Sequence, residues 1–172
     1  MASRDARDVA PALLLVAGLL AVVAGTWWQV ASPDRPAGGA PGSPVVAEPV
    51  GAEASVLAGW DRRRAAAYSR GDVPALRSLY LPGSGAGEAD VAVLRAWLRR
   101  GLRVEGLRTQ VLDRRVVARG PGRMVLRVTD RMVGAVAVRA GGVRARLPAD
   151  RPGERTVTLV RHEGRWVVAR VV

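Results

Sequence analysis

The chain contains no cysteine, no lysine and no phenylalanine, and it has one histidine, His162. Without cysteine there can be no disulfide, no thiolate metal site and no cysteine nucleophile. A lone histidine gives no credible transition-metal ligand set either, because such sites recruit several nitrogen or sulfur donors. The redox compartment stays open, since an exported domain that builds its own core needs no disulfide. With lysine absent, all 27 basic residues are arginine, set against 15 acids for a formal charge of +12. That usage, beside abundant alanine, valine and glycine, reads as the coding bias of a GC-rich genome, which weakens the charge as evidence for a polyanionic partner. With phenylalanine absent, the large aromatic volume rests on few positions, and Trp60, Trp97 and Trp166 are the expected anchors of the core. The sequence also lacks a nucleophile motif, and the Gly83-Ser84-Gly85 string lacks the spacing of a phosphate-binding loop. No cofactor or metal is expected.

Val9 to Val30 carries no charge, and as a helix it would extend roughly 33 Å, the thickness of a bilayer core. Trp27 and Trp28 fall at its far end, where indoles favour the membrane interface. A cleaved signal peptide is the competing reading, with Val22-Val23-Ala24 as the cleavage site, but its apolar region would be shorter and would not run on to a tryptophan pair. The expectation is a retained single-pass anchor. Arg4 and Arg7 precede the segment and Arg35 follows it, which puts the N-terminus in the cytoplasm. The resulting division is a cytoplasmic tail over 1–8, a transmembrane helix over 9–30, a disordered proline- and glycine-rich linker over 31–52 and one domain over 53–172.

Within that domain the periodicity predicts three helices. The first runs from Glu53 to Arg70, with Leu57, Trp60, Ala67 and Tyr68 as its apolar positions, Arg62, Arg63 and Arg64 between them, and Gly71 as its stop. Asp72 caps a short second helix with Pro74 in its first turn. A third spans about Gly87 to Arg100, where Val91, Leu94 and Leu98 recur at helical spacing and Gly101 caps the end. After Gly101 the period becomes two. One strand runs unevenly to Arg119, Gly120-Pro121-Gly122 turns, and Met124, Leu126, Val128, Asp130 and Met132 share one face of the next strand. A bend or a break is expected near Gly134, the bend letting Val133 to Val138 extend the same strand, and two last strands flank a three-residue hairpin loop at His162-Glu163-Gly164. Helices followed by an antiparallel sheet make an α+β domain.

This order resembles the nuclear transport factor 2-like superfamily, a cone in which a curved sheet wraps a long first helix. The likeness is carried by the Trp60 to Tyr68 helix leading into Gly71-Asp72-Val73-Pro74-Ala75-Leu76, by Gly106-Leu107-Arg108 at the start of the sheet, and by Gly164-Arg165-Trp166-Val167-Val168 in the last strand. The resemblance implies a helix-filled cone whose enzymes place Asp, His or Tyr on the inner surface, and membrane-anchored members that serve as accessory modules of the cell envelope.

Asp130, on the inner face by alternation, is accordingly the candidate acid or base, with Tyr68 and Tyr80, read as ending the first two helices, as candidate donors. Against this stands an ion pair of Asp130 with one of the many arginines, which is the expected outcome. His162, in the hairpin, is expected to be exposed. Arg127, Arg131, Arg144, Arg146, Arg155 and Arg161 are expected on the outer sheet face, where they could meet anionic lipid or wall polymer. The leading expectation is a non-catalytic extracytoplasmic module that binds a protein partner or a copy of itself. The alternatives are a small-molecule lyase or isomerase acting in the cone and an electrostatic binder. Outside the cytoplasm no nucleic acid is expected as a partner.

Overall fold

The computed structural model describes residues 51–142 and 144–172, so the expected tail, transmembrane helix and all but the end of the linker lie outside the described residues. Among the described residues three helices come first: α1 (Ala52–Arg70), α2 (Val73–Arg77) and α3 (Gly85–Arg99). Five strands follow: β1 (Leu102–Gly120), β2 (Arg123–Arg139), β3 (Arg144–Arg146), β4 (Gly153–His162) and β5 (Arg165–Val171). The strands are antiparallel in the order β1-β2-β4-β5, and β3 pairs with the far end of β2. The result is an α+β fold with helices packed on a curved antiparallel sheet. Among the described residues no helix is long and apolar enough to cross a membrane.

The helix boundaries follow from local chemistry. Gly71 adopts φ 69°, which a glycine reaches without a Cβ penalty, and the Asp72 N–H returns to the Ala67 carbonyl at 2.9 Å to close α1. The Asp72 side chain then accepts from the Ala75 N–H at 2.9 Å, so one residue leaves the first helix and caps the second. Ser84 caps α3 by accepting from the Gly87 N–H. That capping starts α3 two residues before the expected Gly87.

Curvature comes from β1. Its register against β2 shifts between Glu105 and Arg108, between Val111 and Asp113, and between Val116 and Ala118. Each of these shifts puts an extra residue on β1 and bends the strand. Gly106, expected at the start of the sheet, lies inside the first bulge at φ 62°, and the strand begins at Leu102. Of the two outcomes expected near Gly134 the strand takes the continuous one, with a register shift there and β2 running on to Arg139. The last hairpin has a two-residue turn, with Glu163 at φ 50° and Gly164 at φ 74°, while His162 pairs with Arg165. Two successive positive φ angles match the right-handed twist of the flanking strands, which is why this turn displaces the expected three-residue loop.

The core lies between the helices and the concave sheet face: Leu57, Tyr68, Leu76, Leu94 and Trp97 meet Met124, Leu126, Val128, Leu159 and Val168. Of the three expected tryptophan anchors only Trp97 is fully buried, while Trp60 and Trp166 pack partly exposed against the core. Trp60 is at the rim because its indole N–H reaches the Leu79 carbonyl at 3.1 Å and its ring meets Tyr80 edge-on.

Candidate functional site

Helix α1 presents two inward stripes, and they do different things. Trp60, Arg64 and Tyr68 follow one another at four-residue spacing and face the other helices. Ala54, Leu57, Ala58, Asp61 and Ala65 face β1.

The first stripe builds a closed polar cluster around Asp90 of α3, whose residue is 3% exposed. Arg64 donates to it from Nε at 2.7 Å and from Nη2 at 2.6 Å, a bidentate fork. The Tyr68 and Tyr80 hydroxyls each donate to it at 2.7 Å. Tyr80 reaches this position because it lies beyond α2, in a parallel bridge to Val168 rather than at a helix end. Gly87 of α3 lets the helix pass directly against it, since a Cβ there would come within 2.6 Å of the Tyr80 Cβ. The Arg64 guanidinium also lies 5.0 Å over the Tyr68 ring.

Burial alone would raise the Asp90 carboxyl, but the Arg64 charge and the three donor side chains hold it below the usual carboxylate range. Burial pushes both tyrosines well above their ordinary value, and the Asp90 charge adds to it. The Arg64 guanidinium loses from burial, but Asp90 together with Tyr68 and Tyr80 outweighs this, so its charge is held firmly. None of the four groups changes protonation near neutrality. Their combined geometry is that of a saturated carboxylate: four donor bonds on two oxygens, with no lone pair directed at open space.

The structure therefore brings Tyr68 and Tyr80 together, but on Asp90 rather than on Asp130. Asp130 is on the inner face as alternation predicts, 8% exposed, because the β2 strand is regular from Met124 through Met132. It pairs with Arg155, which donates from Nε at 3.1 Å and from Nη2. Burial raises its pKa, and Asp150 adds to this, against the lowering pull of Arg155. Arg155 is thus not on the outer sheet face. It stands opposite Val128 in the ladder and shares its concave side. On the outer side, Arg127 pairs with Glu154 at 3.8 Å, Arg131 bonds Gln110 at 3.0 Å and Arg144 bonds Glu105 at 3.0 Å. Arg161, two residues beyond Leu159 on β4, also shares the concave side rather than the outer one, and stacks 5.2 Å over Trp166. His162, paired with Arg165 at the end of β4, is half-buried instead of fully exposed. Among the described residues no three His, Cys, Asp or Glu side chains form a group that could hold a metal.

Sequence reading misses Arg64, Asp90 and Asp61. Arg64 sits in what the sequence presents as a solvated arginine run, yet it is flanked at four residues on either side by Trp60 and Tyr68. Asp90 shares a helical face with Leu94 and Trp97, and a carboxylate on an apolar stripe is the signal that marks it.

The second stripe of α1 walls a cleft of about 750 Å³ against β1, whose contribution includes Leu107, Thr109, Val111 and Arg114. Asp61 lies in this wall, half-buried, and its pKa is raised to about 6, chiefly by burial and further by the Asp130 charge, against Arg64 and Arg155. The folded protein therefore binds a proton at Asp61 more tightly than the unfolded chain does, and stability should fall as pH rises from about 4 to about 6. Asp61→Asn should accordingly raise the melting temperature at pH 8 and leave it nearly unchanged at pH 4. Thermal melts of both proteins at the two pH values check this, and an equal shift at both would show that the carboxyl is not desolvated.

No protein-family model and no curated protein matches the chain. Solved structures to which it is similar include the intermembrane space region of the chloroplast protein ARC6, at 10% identity over 73% of this chain and 96% of that one, with a TM-score of 0.53. They also include Aln2 from a Streptomyces species, at 17% identity over 72% and 90% with a TM-score of 0.49. A domain of unknown function with a cystatin-like fold from Nostoc punctiforme aligns at 14% identity over 72% and 76%, with a TM-score of 0.43. At such identities the likeness is one of fold. By class this is an α+β domain with helices on a curved antiparallel sheet.

Proposed function

We propose that this chain is a non-catalytic module of the cell envelope, tethered by a membrane helix over residues 9–30 and binding a protein partner through its extracytoplasmic domain. One observation carries the reading: the best-assembled acid and hydroxyl groups of the domain are consumed in the Arg64, Tyr68, Tyr80 and Asp90 cluster, where every donor meets the carboxylate. A catalytic acid or base needs a proton-transfer partner outside its own scaffold, and this cluster offers none. Asp130 is also engaged, by Arg155, although burial still leaves its pKa above the ordinary carboxylate value.

A second reading, a lyase or isomerase, is favoured only by Asp61, whose pKa of about 6 and place in the cleft suit a general base. The two readings separate on substitution. Asp130→Asn should leave the cellular role intact and change stability by no more than about 1 kcal/mol, since Arg155 is half exposed and is solvated when its partner is lost. Complementation of a deletion strain, read beside protein abundance, tests this. Loss of the role at normal abundance for Asp130→Asn would overturn the non-catalytic reading. Mass spectrometry of the mature protein tests the tether: a new N-terminus near Gly25 or Ser32 would show that it is removed.

A further inference from the structure

Strand β1 ends the sheet. It is paired with β2 on one side, and on the other it has no strand partner among the described residues. Such an edge offers unpaired backbone N–H and C=O groups, and folded proteins usually blunt it with charge on short strands. This edge is long, and among its charged residues it exposes apolar side chains, with Val111 37% exposed, Leu112 47%, Val116 42% and Val117 54%. The cleft opens beside it, with Leu57, Ala58, Leu107 and Val111 in its walls and Arg62, Arg108 and Arg114 around them. These three arginines form no ion pair among the described residues.

We propose that the free edge of β1, with the cleft beside it, takes an extended segment of a partner protein in which apolar residues alternate with aspartate or glutamate. This rests on the binding-module reading and names the partner's chemistry. An added strand bonds the edge through its backbone, and every second side chain turns toward the cleft. Those side chains are apolar because the cleft walls are. The intervening ones are acidic because on the outer face they meet Arg108 and Arg115, opposite Gly134 and Arg127, while Arg114, opposite Val128, flanks the cleft itself. Bulges at Leu112 and Val117 divide the edge, so the regular pairing is short and the side chains supply much of the selectivity. A second copy of this chain fits poorly: β1 holds five arginines against Glu105 and Asp113, and pairing two such strands sets like charges opposite one another.

The test uses the full-length chain in detergent and a dye-labelled eight-residue peptide of alternating valine and glutamate, with the alternating valine and lysine peptide as control. Fluorescence anisotropy should show binding of the first only, weakened several-fold between 50 and 300 mM salt. Arg108→Glu with Arg114→Glu should weaken it at least tenfold, and the exposed-site variant Val111→Asp should do likewise. Equal binding of both peptides, or binding indifferent to the variants, overturns the proposal. So does a photocrosslinker at Val111 that joins residues 45–50 of the same chain or a second copy. In cells, a copurifying partner that stays on the Arg108→Glu, Arg114→Glu protein overturns this site and leaves the module reading standing. The absence of any partner with either form overturns both.

Discussion

Asp90→Ala should lower the stability of the domain by about 3–5 kcal/mol, a large part of what holds a domain of this size together. The loss does not come from four missing bonds taken separately. It comes from what remains: the Arg64 guanidinium would be part-buried with no counter-charge, and the Tyr68 and Tyr80 hydroxyls would be buried without an acceptor. Adding Arg64→Met removes the stranded charge, so the double variant should recover part of the loss. Urea unfolding of the wild type, both single variants and the pair measures the coupling, and additive effects would show that the four groups do not act as a unit. The pH dependence has a fixed sign. The Asp90 pKa is lowered on folding, so its contribution is fully present above the unfolded value near 4 and is lost as pH falls through the folded one. The gap between wild type and Asp90→Ala should therefore narrow below about pH 4.

Trp97→Ala should cost about 3–5 kcal/mol by a different route, the lost transfer of an indole and the cavity left behind. Trp97 is 1% exposed and belongs to the largest fully buried side chains, so the site has little room to collapse. Trp60→Ala should cost clearly less, because that ring is only partly covered and its main polar bond is to the Leu79 carbonyl. Chemical denaturation of the two variants side by side checks the order. A Trp60 variant less stable than the Trp97 variant would mean that the rim, rather than the helix and sheet interior, carries the core.

Both predictions depend on contacts between elements, and the division between sequence and tertiary structure falls in the same place. Periodicity, caps and turns specified the three helices, the helix-then-sheet order and the inward face of Met124 through Met132, because they depend on residues a few positions apart. The Gly71 and Asp72 pair is such a case, one residue ending a helix and the next beginning another through bonds spanning at most five residues. The tertiary structure alone decided that Arg64 meets Asp90 across 26 residues, that Tyr68 and Tyr80 converge on that carboxylate, and that Asp130 finds Arg155. In a chain with 27 arginines, composition cannot say which of them a buried acid will choose. The choice is made by helix packing and strand register, which bring one guanidinium within bonding distance of each buried acid.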